Sequence, residues 1–156
     1  MYKTNKERNK GQFSAKKTIS IANMYFKEDG NGASEESLNL YKVLRVGDIA
    51  YEGHKNKEFT FGRFVLNDIG DGIMSPRFTT LRPINKLDID FWKYYIHFEP
   101  IMKRLLVKST KLGTMMNELV LDDFFRQTLN VPTEDEQKLI GNLLKQMEQA
   151  IASNQH

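Results

Sequence analysis

The sequence predicts an α+β fold: a mixed β meander with packed helices, carrying a C-terminal amphipathic spacer helix. Three observations predict it. Between Thr18 and Arg82, short apolar runs alternate with turn-rich polar stretches. After Pro83 the apolar residues fall at helical spacing, and from Thr133 onward Ile140, Leu143, Leu144, Met147 and Ile151 share one helical side. With 156 residues, 40% apolar and 11% aromatic, the chain is of a size to bury one ordinary core.

Each element has a local reason. Residues 1–17 are polar and basic with few apolar anchors, so a loop or partly ordered arm is expected there. Thr18–Phe26 alternates loosely through Ile19, Ile21, Met24 and Phe26, which suits a first strand. Lys27–Ser37 holds Asp29-Gly30-Asn31-Gly32, residues that tolerate positive φ, and reads as a loop. Leu38–Val46 leads to a Gly47-Asp48 turn, and Ile49–Tyr51 resumes an extended pattern. Gly53–Glu58 is a second, basic loop. Phe59–Leu66 then reads as a strand, Asn67–Gly72 as a tight connection and Ile73–Arg82 as the returning strand, stopped by Pro83.

Beyond Pro83, Asp88 or Asp90 caps a helix through Phe91, Trp92, Tyr95, Ile96 and Phe98. Pro100 fits poorly inside that helix, so a second helical segment, Ile101–Leu106, is expected. Lys108–Gly113 reads as polar linker, Thr114–Leu119 as a short helix, and Asp122-Asp123 as a cap or turn before a last strand, Phe124–Val131. Pro132 blocks any helix from running in, while Thr133 and Glu136 form a capping box that sets the start of the final helix. In that helix Ile140, Leu143, Met147 and Ala150 make the seam of a short coiled coil, widened by Leu144 and Ile151. A helix lying on its own domain would show the same stripe. The chain thus divides into a body, 1–132, and a terminal helical segment, 133–156.

Composition narrows the chemistry. Without cysteine there is neither disulfide nor thiolate metal site. No apolar run approaches a membrane-spanning length, and a cytoplasmic protein is expected. The net charge is +3, but residues 1–27 set Lys3, Lys6, Arg8, Lys10, Lys16, Lys17 and Lys27 against Glu7 alone, a local +6. Such a basic segment suits a polyanion and equally a solvated N-terminus. His54, His97 and His156 share no metal-ligand spacing, and neither a phosphate loop nor a nucleophile elbow is present. Glu136-Gln137-Lys138 has the spacing of a metal-dependent nuclease motif, yet the capping-box position gives Glu136 a structural task instead.

Binding chemistry is better represented. In the loop Gly53–Glu58, Lys55 and Lys57 suit phosphates, and His54 and Asn56 suit base edges. Arg63 and Arg77 sit on the strands of the same meander, and an ordinary surface or salt-bridge role suits each of them too, the more so Arg77. A solvated hairpin tip has the same composition.

Three segments resemble the target-recognition domain of a type I restriction-modification specificity subunit. Tyr41-Lys42-Val43-Leu44-Arg45-Val46-Gly47-Asp48-Ile49-Ala50-Tyr51 is similar to that family's strand, Gly-Asp turn and strand. Gly72-Ile73-Met74-Ser75-Pro76-Arg77-Phe78-Thr79-Thr80-Leu81-Arg82-Pro83 is similar to its Gly-hydrophobic-Ser-Pro strand ending in Arg-Pro. Val131-Pro132-Thr133-Glu134-Asp135-Glu136-Gln137-Lys138-Leu139-Ile140 is similar to the junction where a proline and a Glu-Gln pair open the spacer helix. Met147-Glu148 stands where the family often has Leu-Asp.

The resemblance implies a non-catalytic subunit that reads one half of a bipartite site in double-stranded DNA. Lys55, Lys57, His54, Asn56, Arg63, Lys10, Lys16 and Lys17 are the candidate DNA contacts, and Ile140, Leu143, Leu144, Met147 and Ile151 the helix-pairing residues. It also implies methyltransferase and restriction subunits as partners. S-adenosylmethionine, ATP and magnesium would be bound by those partners and not by this chain. Complete specificity subunits carry two recognition domains, so this chain is expected either to form a homodimer through its last helix or to be half of a longer subunit. The competing expectations are a recognition domain of a metal-dependent nuclease or fused restriction enzyme, and a protein-interaction module acting through its helix.

Overall fold

The computed structural model describes residues 1–155; His156, weighed above as a metal ligand, lies outside them. In chain order the elements are β1 (Tyr2–Thr4), a 3-10 turn (Ala15–Lys17), β2 (Thr18–Ser20), β3 (Tyr25–Lys27), α1 (Glu35–Leu38), β4 (Lys42–Leu44), β5 (Ile49–Glu52), β6 (Arg63–Leu66), β7 (Gly72–Met74) and β8 (Thr80–Pro83). The second half adds α2 (Ile89–Tyr95), α3 (Glu99–Ser109), β9 (Thr110–Lys111), β10 (Glu118–Leu119), α4 (Leu121–Phe125) and α5 (Glu134–Asn154). The expected α+β architecture is therefore present.

The strands form two four-stranded sheets, β1-β8-β5-β6 and β3-β2-β7-β4, and a separate β9–β10 hairpin. All pairs are antiparallel except β2 with β7, joined in parallel at Thr18 and Ile73. The sheets are layered. One face of β5 and β6, carrying Ile49, Tyr51, Phe64 and Leu66, packs on the helices around Trp92, Met102 and Leu106. The alternate residues Ala50 and Val65 meet Ile19, Leu44 and Met74 of the second sheet and Ile21 just after β2. Burial on both faces explains why β5 reads as a continuous apolar run and not as an alternation. The outer face of the second sheet, with Val43 and Ile73, is closed by Leu38, Tyr41, Phe13, Ala15 and Ala33.

Several expectations are corrected. The N-terminal residues are no loose arm: β1 pairs with β8, and buried Asn5 and Asn9 donate side-chain hydrogen bonds to Val43 O (2.7 Å) and Leu38 O (3.0 Å). Thr18–Phe26 is two strands, β2 and β3, turning at residues 21–24. The stretch read as Leu38–Val46 begins with the end of α1, capped by Ser34, before β4 starts. The β6–β7 hairpin does not form, because β6 pairs with β5 while β7 crosses into the other sheet, and Ile73–Arg82 is divided between β7 and β8. Thr114–Leu119 is not helical but leads into β10, which returns on β9 within the supposed linker.

Phe124–Val131 is not a strand. Phe124 and Phe125 end α4, and Phe124 packs on Phe64 with ring centroids 5.2 Å apart. Side chains, not a ladder, hold the segment between α4 and α5: Gln127 donates to Leu105 O (2.9 Å) and Tyr95 to Asn130 O (2.5 Å).

The expected helix starts fare better. Asp88 caps α2 by accepting from Phe91 N, and Pro100 occupies the first turn of α3, where its missing N–H costs nothing. The capping box of α5 is complete, Thr133 Oγ1 accepting from Glu136 N and Glu136 Oε2 from Thr133 N. No described helix is long and apolar enough to cross a membrane.

Candidate nucleic-acid interface

The basic loop leaves the end of β5. Its stem is buried and its tip is bare: Gly53 is enclosed, while His54, Lys55, Asn56, Lys57 and Glu58 are exposed. The β9–β10 hairpin clamps the stem. Asn117 N donates to Gly53 O at 2.7 Å and Asn117 Nδ2 to Thr60 O at 2.8 Å, and His54 forms a single antiparallel bridge with Met116. Within the tip Asn56 Oδ1 accepts from Phe59 N at 2.6 Å, so the amide oxygen is committed to the turn. These bonds fix the backbone and leave the two lysines outward.

Beneath the loop lies a small charged cluster. Glu52, whose side chain is only 6% exposed, faces His54 Nδ1 at 2.5 Å and Arg63 Nε at 3.6 Å. Arg63 also donates to Ala22 O at 2.6 Å and lies over the Phe59 ring. Its guanidinium thus ties β6 to the β2–β3 turn. A cleft of about 400 Å³ opens beside these groups, its polar wall made by Glu52, His54, Ser20, Lys27, Asn31 and Arg77 and its apolar wall by residues such as Ile19, Ile21 and Phe78.

Among the candidates, Lys55, Lys57, His54 and Asn56 share the loop, and Arg63 sits next to it. The N-terminal lysines lie elsewhere. Lys16 lines a separate groove with Asn9, Phe13 and Glu35; Lys10 occupies a positive-φ turn whose N–H reaches Asn39 O; and Lys17 lies over Phe26. Arg77, expected to be an ordinary surface or salt-bridge arginine, lines the same cleft. It forms no ion pair among the described residues, lies over the Phe78 ring at 5.3 Å and faces the cleft. Its place in a Ser-Pro-Arg-Phe turn between strands was the available signal. Lys27, at the end of β3, and Asn31, in the loop after it, are bonded to each other at 2.7 Å and also line the cleft.

The first two motifs are joined directly, and the third is tied to α2. Gly47 takes φ +93°, a value glycine adopts without strain, and the turn it makes lets buried Asp48 accept from Arg45 N at 2.7 Å. Arg82 of the second motif then donates to Asp48 Oδ2 at 2.9 Å. Gln137 of the third accepts from Trp92 Nε1 at 3.1 Å and donates to Pro132 O at 2.9 Å. Consequently these motif residues are ties between strands and helices.

A family model described as the type I restriction modification DNA specificity domain matches residues 2–156. The chain belongs to that family. No curated protein matched the chain. As a type I specificity domain it is a DNA-binding, target-recognition component of a restriction-modification system, in a family that is in general non-catalytic and works with methyltransferase and restriction subunits. In this specificity domain Glu136, the acid of the nuclease-like spacing, spends its carboxylate on the helix cap.

Proposed function

We propose that this domain reads one half of a bipartite duplex site through the 53–58 loop and its cleft, and docks through α5 to an equivalent helix and to methyltransferase subunits. The observation that carries this reading is the division of α5 into two faces. Gln137 and Gly141 are buried against α2, whereas Ile140, Leu143, Met147 and Ile151 are 38–59% exposed. An unpaired seam of this kind is what a second helix covers. Leu144, half-buried at the border of the two faces, would contribute less to pairing. Methyl transfer and ATP-driven cleavage, with their S-adenosylmethionine, ATP and magnesium, belong in this reading to the partner subunits. The second half-site would be read by a second copy or a second recognition domain.

Selection from a random duplex pool, with the methyltransferase subunit present, tests the reading. One defined half-site should emerge. Lys55→Ala and Lys57→Ala should each weaken binding to all sequences alike and lower the slope of log affinity against log salt by about one. Unchanged slopes in both variants would take the loop out of the interface.

A further inference from the structure

We propose that Glu52 decides which base edge His54 reads, by fixing the tautomer of its imidazole. The inference rests on the duplex-reading function proposed above and adds the chemistry of one contact. An ionised carboxylate only accepts hydrogen bonds. Glu52 Oε1 lies 2.5 Å from His54 Nδ1 and 3.3 Å from His54 N, so both of those nitrogens donate to it. The carboxylate is buried, which makes it a firm support, and Arg63 on β6 compensates its charge from 3.6 Å. With the ring proton held on Nδ1, a neutral imidazole has a bare lone pair at Nε2. Nδ1 is turned to the buried carboxylate and the His54 side chain as a whole is 53% accessible, which makes Nε2 the ring nitrogen left for a ligand; the tilted Phe78 ring lies 6.2 Å away.

An outward acceptor has a definite preference in the major groove. It accepts from the exocyclic amines of adenine N6 and cytosine N4, and it opposes the guanine O6 and thymine O4 carbonyls with a second lone pair. With its ring neutral, His54 therefore selects a base presenting an amine. Lys27 and Arg77, the other cations on the cleft, supply charge without that discrimination. Glu52 is a positioning residue, acting through His54.

Two measurements on the full chain test this, both at about pH 8.5, above the range in which imidazoles ordinarily titrate. Ring nitrogen NMR of the free protein should show His54 protonated at Nδ1 and bare at Nε2; the reverse tautomer overturns the proposal without reference to DNA. Base preferences are then compared for the wild type, His54→Phe and Glu52→Gln with the methyltransferase subunit present. The wild type should favour an amine-bearing base by about five- to tenfold at one position. His54→Phe should abolish that preference, and Glu52→Gln, whose amide donates as readily as it accepts, should narrow it at the same position. If Glu52→Gln fails to fold, the tautomer and the His54→Phe comparison still decide. A wild type with a clear half-site that neither variant alters sinks this contact alone, whereas a wild type with no sequence preference sinks the duplex-reading function together with it.

Discussion

Glu7 sits between two arginines distant in sequence, Arg45 just after β4 and Arg82 on β8. Arg45 Nη2 donates to one of its carboxylate oxygens and Arg82 Nη1 to the other, each at 2.6 Å. Arg82 reaches on to Asp48, and Arg45 to Asp71, so one chain of charges fastens the N-terminal segment to both sheets. The hydrogen bond from Arg45 chiefly holds the Glu7 carboxyl below the ordinary carboxylate range; Arg82 acts the same way and partial burial opposes them. Proton linkage sets the sign. A carboxyl that titrates lower in the folded protein than in the unfolded chain contributes stability in full above its unfolded pKa, and loses it as pH falls through the folded one. Glu7→Gln should cost about 1–2 kcal/mol at neutral pH, a penalty that shrinks toward zero in acid. Urea titrations of both proteins across the acid range measure it, and a constant difference between them would show that Glu7 acts through shape and not charge.

The elements differ in how far local chemistry decides them. Helix starts were legible because a cap needs only residues within one turn: Asp88 with Phe91, and Thr133 with Glu136. Strand partners were not, since nothing within Asn67–Gly72 announces that β6 stays with β5 while β7 joins β2 and β4. Polar Tyr2-Lys3-Thr4 becomes a strand only because β8, nearly eighty residues on, offers an edge. Phe124 and Phe125 have strand propensity but finish a helix, overridden by the aromatic contact to Phe64. The candidate loop was legible by composition, whereas the Glu52–His54–Arg63 grouping depends on β5–β6 register, which places Glu52 opposite Arg63. Against that background α5 on α2 is the contact easiest to test. A Cβ at Gly141 would lie 2.9 Å from Phe91 N, a backbone atom that cannot swing aside. Gly141→Leu should lever α5 off α2 and break the Gln137 bond to Trp92, the single tryptophan, now only 1% exposed. Its emission should move to longer wavelength and the melting temperature should fall, with helix content by circular dichroism nearly unchanged.

For the whole molecule, the layers and the last helix do different work. Three apolar clusters close the body through sheet-on-sheet and sheet-on-helix packing. The helix leaves that body with a rigidly set start, since Pro132, the capping box and Gln137 fix its first turn. About 30 Å of rod extends from there, its seam unused by the body. Leu143, 58% exposed, lies at the middle of that seam, and Lys93 and Tyr94 hold the far side through Glu148 at 3.2 Å and 2.6 Å. A charge placed at Leu143 therefore tests assembly without testing folding. Leu143→Glu should change the unfolding free energy of the monomer by no more than about 0.5 kcal/mol, as surface changes do. In sedimentation velocity, the parent should self-associate with rising concentration and the variant should remain a monomer. With methyltransferase subunit added, the variant should also lose selection of the half-site, because an isolated reader would no longer be held beside its partners. Parent and variant sedimenting alike as monomers, with equal capture of the methyltransferase subunit, would mean that the seam serves neither contact and that assembly uses another surface.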